Sequence, residues 1–462
     1  MNGTLTESAR ETPVLDEVDV LILGGGPAGL AAAASAAQSG ARTLLVERYG
    51  FLGGMGTAAG VTNFCGLHAN VHGSLRQVVH GVADGLLSRI DSLGGLNTPH
   101  LLFGGRIAAQ AYDTAAFKIA ADELLATSGS RVLLHAWVAG VAMRDAANLE
   151  AVFIETKSGR FAVRARCFID CTGDGDVAAL AGAPYEKGTD GHEMMYPSTM
   201  MRVGGVDPAR AGPAWASVAA LMEKATERGE RFARKAPILR PQKNPTEWRA
   251  NVSQLARADG GPVDGTDALQ LSAAEAEGRR QAAHFLGFLR RDVPGFESAY
   301  LIDIPPQIGV RETRRVLGDY QLSEQDVLSC VSFEDTIGVN GWMVEEHVAG
   351  NVSFRWPNGT DTPQGQAASR GFNHLPWRML LAQGLDNLLV AGRCASMTHG
   401  GQSAARVSGG CFVMGQAAGT GAALALSQRV PPRRIDVATL QSQLLRAGAF
   451  LGRDGDSLPN KI

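Results

Sequence analysis

No Cys-x-x-Cys pair occurs in the 462 residues; the six cysteines, Cys65, Cys167, Cys171, Cys330, Cys394 and Cys411, are scattered. That spacing excludes a zinc site and a disulfide framework, so no metal is expected. Cys167 and Cys171 share a strand face but stand too far apart to bridge easily, which argues against a redox dithiol. Charge of one sign is lacking as well. The formal net charge is −3 with no basic tail, so nucleic acid is not expected as a partner. The N-terminal stretch MNGTLTESARETPVLDE has no apolar core of a signal peptide, which points to a cytoplasmic chain with a loose tail over residues 1–17. Repeats of solenoid period are absent. One charge-free stretch, 409–426, reaches the length of a membrane span. It is mostly Gly and Ala, so a buried core helix is expected there and no membrane.

Glycine, by contrast, is abundant at 57 residues and falls in clusters. The decisive cluster lies in residues 18–47, VDVLILGGGPAGLAAAASAAQSGARTLLVE. An apolar run, a glycine turn, an alanine-rich segment and a second apolar run ending in an acid make a βαβ unit. Gly24, Gly26 and Gly29 take the G-x-G-x-x-G positions, where missing side chains allow a tight turn, approach of a pyrophosphate, and close helix–sheet packing. The helix start offers free N–H groups and its positive dipole end to phosphate. Glu47, about 20 residues on, suits a ribose 2′-OH and repels a 2′-phosphate, so an adenine dinucleotide without the extra phosphate is favoured.

Downstream, residues 48–57 form a glycine-dense loop that can lie against a flat ligand. Residues 58–107 carry His68, His72, His80 and His100 and show only a helix near Leu75 to Leu93. Helical spacing follows from Asp113 to Thr127, then a buried strand from Arg131 to Val138. Short alternating runs from Val138 to Arg166, turning at Lys157 to Gly159, read as a three-stranded meander. It leads to a strand that stops at a second glycine turn, Cys171 to Asp176. Prolines, charges and long polar helices fill residues 205–295. The chain then returns with an apolar strand ending at Gly392 and a long small-residue helix from about Ser408. The expected domains are a discontinuous nucleotide-binding unit, 18–183 and 385–430, an inserted α+β substrate unit, 184–384, and a C-terminal segment, 431–462.

Three separated segments, the opening βαβ, CTGDGD at 171–176, and NLLVAGR…GGQSAARVSGGCFVMGQAAG at 387–419, resemble the glutathione-reductase-type FAD fold. More narrowly, with IGVRETRRVLGDYQL at 308–322, the chain is similar to a group of bacterial FAD-dependent oxidoreductases. The resemblance implies an α/β Rossmann domain with a β-meander and an inserted α+β substrate domain, and FAD bound non-covalently. It implies that Gly24, Gly26, Ala28 and Gly29 hold the pyrophosphate, with Glu47 and Arg48 at the adenosine ribose side. Gly54 and Met55 would border the phosphate and ribityl chain, Val138 would meet the adenine through its backbone, and Thr172 and Gly173 would lie near the adenosine. Gly392 and Arg393 would lie at the ribityl chain.

For chemistry, the helix after residues 401–408 would aim its dipole at the flavin, with Arg406 either adding to it or standing in solvent. Arg311, in the run Arg311, Glu312, Arg314, Arg315, either grips a substrate carboxylate or carbonyl or belongs to a salt-bridged strand. His399 is a candidate acid or base, in a loop that Gly400 and Gly401 would let approach the ring, or else a structural hydrogen-bonder; His374 is a second candidate. The expected function is hydride transfer between a small organic substrate and FAD. The alternatives are an FAD-dependent monooxygenase and a non-catalytic or RNA-modification flavoprotein. Asp174-Gly175 followed by Asp-Val-Ala-Ala, and Gly-Arg-Cys at 392–394, depart from the hydroxylase pattern. Oligomeric state is left open.

Overall fold

The structure is a computed structural model that describes residues 3–189, 191, 193–235, 237–453, 455, 456 and 458. The other positions of the expected terminal segments 1–17 and 431–462 lie outside the described residues. The apolar run becomes strand β1 (Val14–Leu23), whose last four residues are fully buried. It therefore starts inside the stretch expected as tail. The glycine turn leads to helix α1 (Pro27–Gln38) and then β2 (Thr43–Val46).

Helix α2 (Thr114–Ser128) begins where Asp113 accepts hydrogen bonds from the backbone of Ala115 and Ala116, and ends at Gly129 in the left-handed region. Strand β3 (Arg131–Leu133) follows, then β4 (Trp137–Met143), β5 (Leu149–Thr156) and β6 (Gly159–Asp170). The sheet order is β3-β2-β1-β6-β5-β4, with Leu388–Val390 paired to the far end of β6. Strand β6 serves two neighbours of opposite sense. It runs antiparallel to β5 as the last meander strand and parallel to β1 from Ala162 to Asp170. The meander and the strand leading to the second glycine turn are thus one element.

Two local expectations are corrected. The stretch Leu75 to Leu93 is not one helix: Ser74–Gln77 pairs with His68–Val71, and a helix runs only over Val82–Ser92. Gly81, at φ 76° and packed on the Gln416 side chain, makes the break. The buried strand expected from Arg131 to Val138 stops at Leu133, because His135 turns the chain at φ 56°. Its first residue is exposed, as suits a sheet edge.

A second layer is built from β7 (Met200–Gly204), helix α3 (Ala214–Glu227), β8 (Ile238–Pro241), β9 (Trp248–Asn251), helix α4 (Ala268–Asp292) and β10 (Tyr300–Asp303). Its strands form an antiparallel sheet in the order β8-β9-β7-β10. Val218 and Met222 of α3 and Phe285, Phe288 and Leu289 of α4 pack with Val203, Leu239 and Trp248 in its own core. The inserted segment divides its apolar residues: Val316, Leu322, Val339, Leu375 and Trp377 join the first core, Leu255, Val263, Ile308 and Val310 form a smaller cluster, and Trp342 and Met343 pack with Ile107.

Two helices follow the returning strand, α5 (His399–Ala405) and α6 (Ser408–Gln428), before a last helix over Val437–Arg446. Helix α6 is long and apolar enough to cross a membrane, yet 89% of its most apolar window is buried inside the protein. A Cβ at Gly415 or Gly419 would stand 2.0 or 2.1 Å from the carbonyl oxygen of Ala28 or Ala32. Backbone therefore meets backbone where α6 crosses α1, which explains a helix made of small residues.

Candidate functional site

A cavity of about 490 Å³ runs between the two layers. One half is the glycine turn. Gly24 has φ 101°, and a Cβ there would sit 2.4 Å from the Cys171 carbonyl oxygen; one at Gly29 would sit 1.8 Å from the Gly24 carbonyl oxygen. Glycine is obligatory at both. Gly26 precedes α1 with no side-chain cap, which leaves first-turn N–H groups for a ligand. Glu47, 6% exposed, accepts the Gly25 N–H at 2.6 Å with one oxygen and the Tyr49 N–H at 3.0 Å with the other. A carboxylate oxygen takes more than one donor, so both keep capacity for a hydroxyl.

The same half is walled by Ala28, Arg48, Gly54, Met55, Thr172, Gly173, Gly392 and Arg393. Arg393 ties the motifs together. Its Nη2 meets Asp174 Oδ1 at 2.9 Å, Nη1 donates to Thr313 Oγ1 at 3.3 Å, and its carbonyl accepts from Gln402 at 2.7 Å. Arg48 stands 3.6 Å from the other Asp174 oxygen. Gly29 acts through packing rather than as wall, and Val138, expected at the adenine, lies in β4 opposite Ile154 and off the wall.

The other half has apolar walls from Phe64, Tyr112, Ile238, Trp342 and Phe354, with Arg240, Arg249, Arg311, Glu345, His347 and Arg406 among them. Arg311 is in a loop, not a strand, and donates to the Tyr196 carbonyl and to Ser198 Oγ, each at 2.7 Å. Burial first, and then Arg406, lower its pKa well below the usual guanidinium value. Trp342 Nε1 donates to Glu345 Oε2 at 2.8 Å, and His347 Nε2 lies 3.3 Å from Glu345 Oε1. Burial pushes the Glu345 carboxyl up, but His347, Arg406 and the Trp342 N–H outweigh it and hold it at about 2. Burial, then the Arg311 charge, pushes His347 down to about 3. Glu345 is therefore an anion and His347 a neutral imidazole. The Cys65 thiol is pushed up to about 12, chiefly by burial.

The FAD dependent oxidoreductase family matches residues 19–444. The chain belongs to this family. Its cofactor is FAD. Among solved structures it is similar to a geranylgeranyl bacteriochlorophyll reductase-like protein from Thermoplasma acidophilum, at 14% identity and TM-score 0.47, over 95% of this chain and 97% of that one. It is also similar to the p-nitrophenol 4-monooxygenase PnpA from Pseudomonas putida DLL-E4, at 11% identity and TM-score 0.49, over 96% and 91%. No curated protein matches the sequence.

The residues present fit FAD. Gly24 and Gly54 hold positive φ, and a Cβ on Gly54 would stand 2.7 Å from the Gly26 Cα, so side chains would fill the cradle where a pyrophosphate must approach backbone. The uncapped turn before α1 would hold the phosphates and Glu47 a ribose hydroxyl.

Several candidates for chemistry land elsewhere than expected. His399 is the first residue of α5 rather than part of a loop, is not in the cavity wall, and its Nδ1 lies 2.9 Å from Glu312 Oε2. Gly400 and Gly401 serve packing: a Cβ on Gly401 would sit 1.9 Å from the Leu322 carbonyl oxygen. His374 is also off the wall, in the strand Asn373–Pro376, where Phe333 N–H donates to its Nδ1 at 3.1 Å and its Nε2 meets the Gly452 carbonyl at 3.0 Å. Arg406 is no solvent residue; it ends α5, lines the cavity, and donates to the Glu345 carbonyl at 3.3 Å. The sequence reading passed over Arg240, Arg249, Glu345 and His347. Glu345 and His347 stand two apart in an extended run, a period-2 signal that could have put them on one face.

Proposed function

We propose that the chain transfers a hydride between a small organic substrate and non-covalently bound FAD, the flavin supplying the two-electron chemistry. The observation that carries this reading is the pairing of Arg311 with His347 in the apolar half of the cavity. Arg311 is held at two of its nitrogens by Tyr196 and Ser198, so its fork is fixed for a carboxylate or carbonyl. His347 Nε2 lies 3.3 Å from the ionised Glu345, which favours the proton on that nitrogen and leaves Nδ1 as acceptor. No protein group among the described residues hydrogen-bonds that Nδ1, and it takes the proton from a substrate O–H or N–H. An anion at Arg311 offsets the charge that holds the imidazole down, which raises its basicity when substrate is bound. The apolar walls keep water from competing for that proton. A small-molecule partner and a cytoplasmic setting belong to this proposal, and the six free cysteines support the latter.

The test is anaerobic rapid mixing of the holoenzyme with hydroxy acids, amines, NADH and NADPH, followed at the flavin absorbance. Bleaching by a substrate, slowed about 10²–10⁴-fold in His347→Gln with FAD content unchanged, supports the reading. Reduction by NADH or NADPH alone, followed by incorporation of oxygen into a product, overturns it in favour of a monooxygenase.

A further inference from the structure

Three arginines stand in one row across the second sheet. Arg240 of β8 is directly opposite Arg249 of β9, and Arg249 is directly opposite Arg202 of β7. Residues so paired project from the same face, and like charges facing each other destabilise a sheet. Arg202 has its answer in Glu247 at 2.8 Å and Asp113 at 3.7 Å. Neither Arg249 nor Arg240 forms an ion pair among the described residues; each has only a backbone carbonyl, that of Val61 at 2.9 Å and of Leu239 at 3.0 Å.

Arg249 is 6% exposed and lines the cavity. Its Nη1 is spent on Val61, while among the described residues the buried Nε has no partner and no hydrogen bond is made by Nη2. The free edge is thus the Nε–Nη2 edge, the geometry that takes a carboxylate in two parallel hydrogen bonds. Arg240 lines the cavity beside it. Burial, with the Arg240 charge adding to it, lowers the Arg249 guanidinium to about 10, so it is still a cation at neutral pH. An unanswered buried cation costs stability unless something pairs with it. The FAD pyrophosphate belongs to the glycine turn in the other half. Glu345, the carboxylate lining this half, is engaged by Trp342 and His347.

We infer that Arg249 and Arg240 bind a second acidic group of the substrate, so that the substrate is a small dicarboxylate with one end at Arg311 and the other at the arginine row. This rests on the proposed role of Arg311 in hydride transfer. The apolar residues that line this half take the carbon chain.

Calorimetric titration of the holoenzyme with glutarate and with butyrate tests the inference. Glutarate binds at least about tenfold more tightly, the range of one charged hydrogen-bonded contact. Arg249→Gln brings glutarate to the butyrate level and leaves butyrate unchanged, and Arg240→Gln does the same in part. Arg311→Lys weakens both ligands alike. Equal affinities in the parent protein overturn the dicarboxylate assignment, as does an unchanged glutarate-to-butyrate ratio in both arginine-row variants. Tighter binding of 3-phosphonopropionate than of glutarate moves the assignment to a phosphorus acid and overturns it. An unaltered butyrate affinity in Arg311→Lys counts against the proposed function instead, and leaves the arginine row to be judged by its own ratio. Because Arg249→Gln removes an unpaired buried charge, its melting temperature holds or rises; a fall in both row variants with the ratio intact marks the row as structural and overturns the inference.

Discussion

His399 Nδ1 lies 2.9 Å from Glu312 Oε2, and the same carboxylate closes on Arg315 and accepts the backbone N–H groups of Gly188 and Met195. Glu312 is 1% exposed, so a full set of donors holds one buried anion between the two layers. Removing it leaves Arg315, which is 2% exposed, with the more distant Glu186 at 3.5 Å and the carbonyls of Met397 and Gly188 in place of a buried carboxylate in direct contact. Glu312→Ala should therefore cost about 3–5 kcal/mol, read from urea unfolding. His399→Asn should keep more than a tenth of the wild-type flavin reduction rate; a larger loss with intact flavin binding would restore His399 as the proton-transfer group.

Glu47 predicts an effect on cofactor rather than on fold. Its oxygens pin the Gly25 and Tyr49 amides, and a ribose hydroxyl of FAD would add to them. Glu47→Ala should weaken FAD by about 1.5–3 kcal/mol, the worth of a charged hydrogen bond. Fluorescence titration of the apoprotein with FAD reads this directly. An unchanged dissociation constant would detach Glu47 from the ribose.

Acid should destabilise the protein through its buried histidines. Burial, then His80, lowers His68 to about 4; burial, then Arg249 and Arg240, lowers His100 to about 4; burial, then Arg311, lowers His347 to about 3. In the unfolded chain each titrates near about 6.5. As pH falls below that value the unfolded state binds protons that the folded state refuses, so the stability these histidines contribute is full above about 6.5 and falls until about 4, offset in part by Asp176, which burial raises to about 6. The two most buried, His68 and His347, contribute about 3 kcal/mol per pH unit at most. Urea midpoints at pH 7.5 and 5.5 should differ, and the difference should shrink in His68→Asn with His347→Gln. Equal midpoints in the wild type would refute the account.

The cofactor half was legible in the sequence because its reasons are local. A turn that excludes Cβ atoms at Gly24 and Gly29, and an acid at a strand end, leave a fixed spacing behind. The substrate half was not. Arg240 and Arg249 lie in four-residue strands, ILRP and WRAN, too short for a period to show, and their meeting depends on a register that no local pattern records. His399 misled for the opposite reason. It stands beside two glycines in a segment that the resemblance placed near the flavin, yet Gly401 answers to the backbone of Leu322 and Gly400 to the Glu324 side chain, and its imidazole to a buried carboxylate contributed by a distant loop.

The crossing of α1 and α6, carbonyl against glycine, fixes more than packing. Helix α1 starts at the phosphate turn, and α6 starts at Ser408 and Cys411 in the cavity wall. With backbone against backbone at Gly415 and Gly419, the two helices act as the arms of a calliper set to one length. On the proposed substrate role, change in what the protein accepts would fall to the other jaw, the sheet that carries Arg240 and Arg249, where substitutions would leave that gauge as it is.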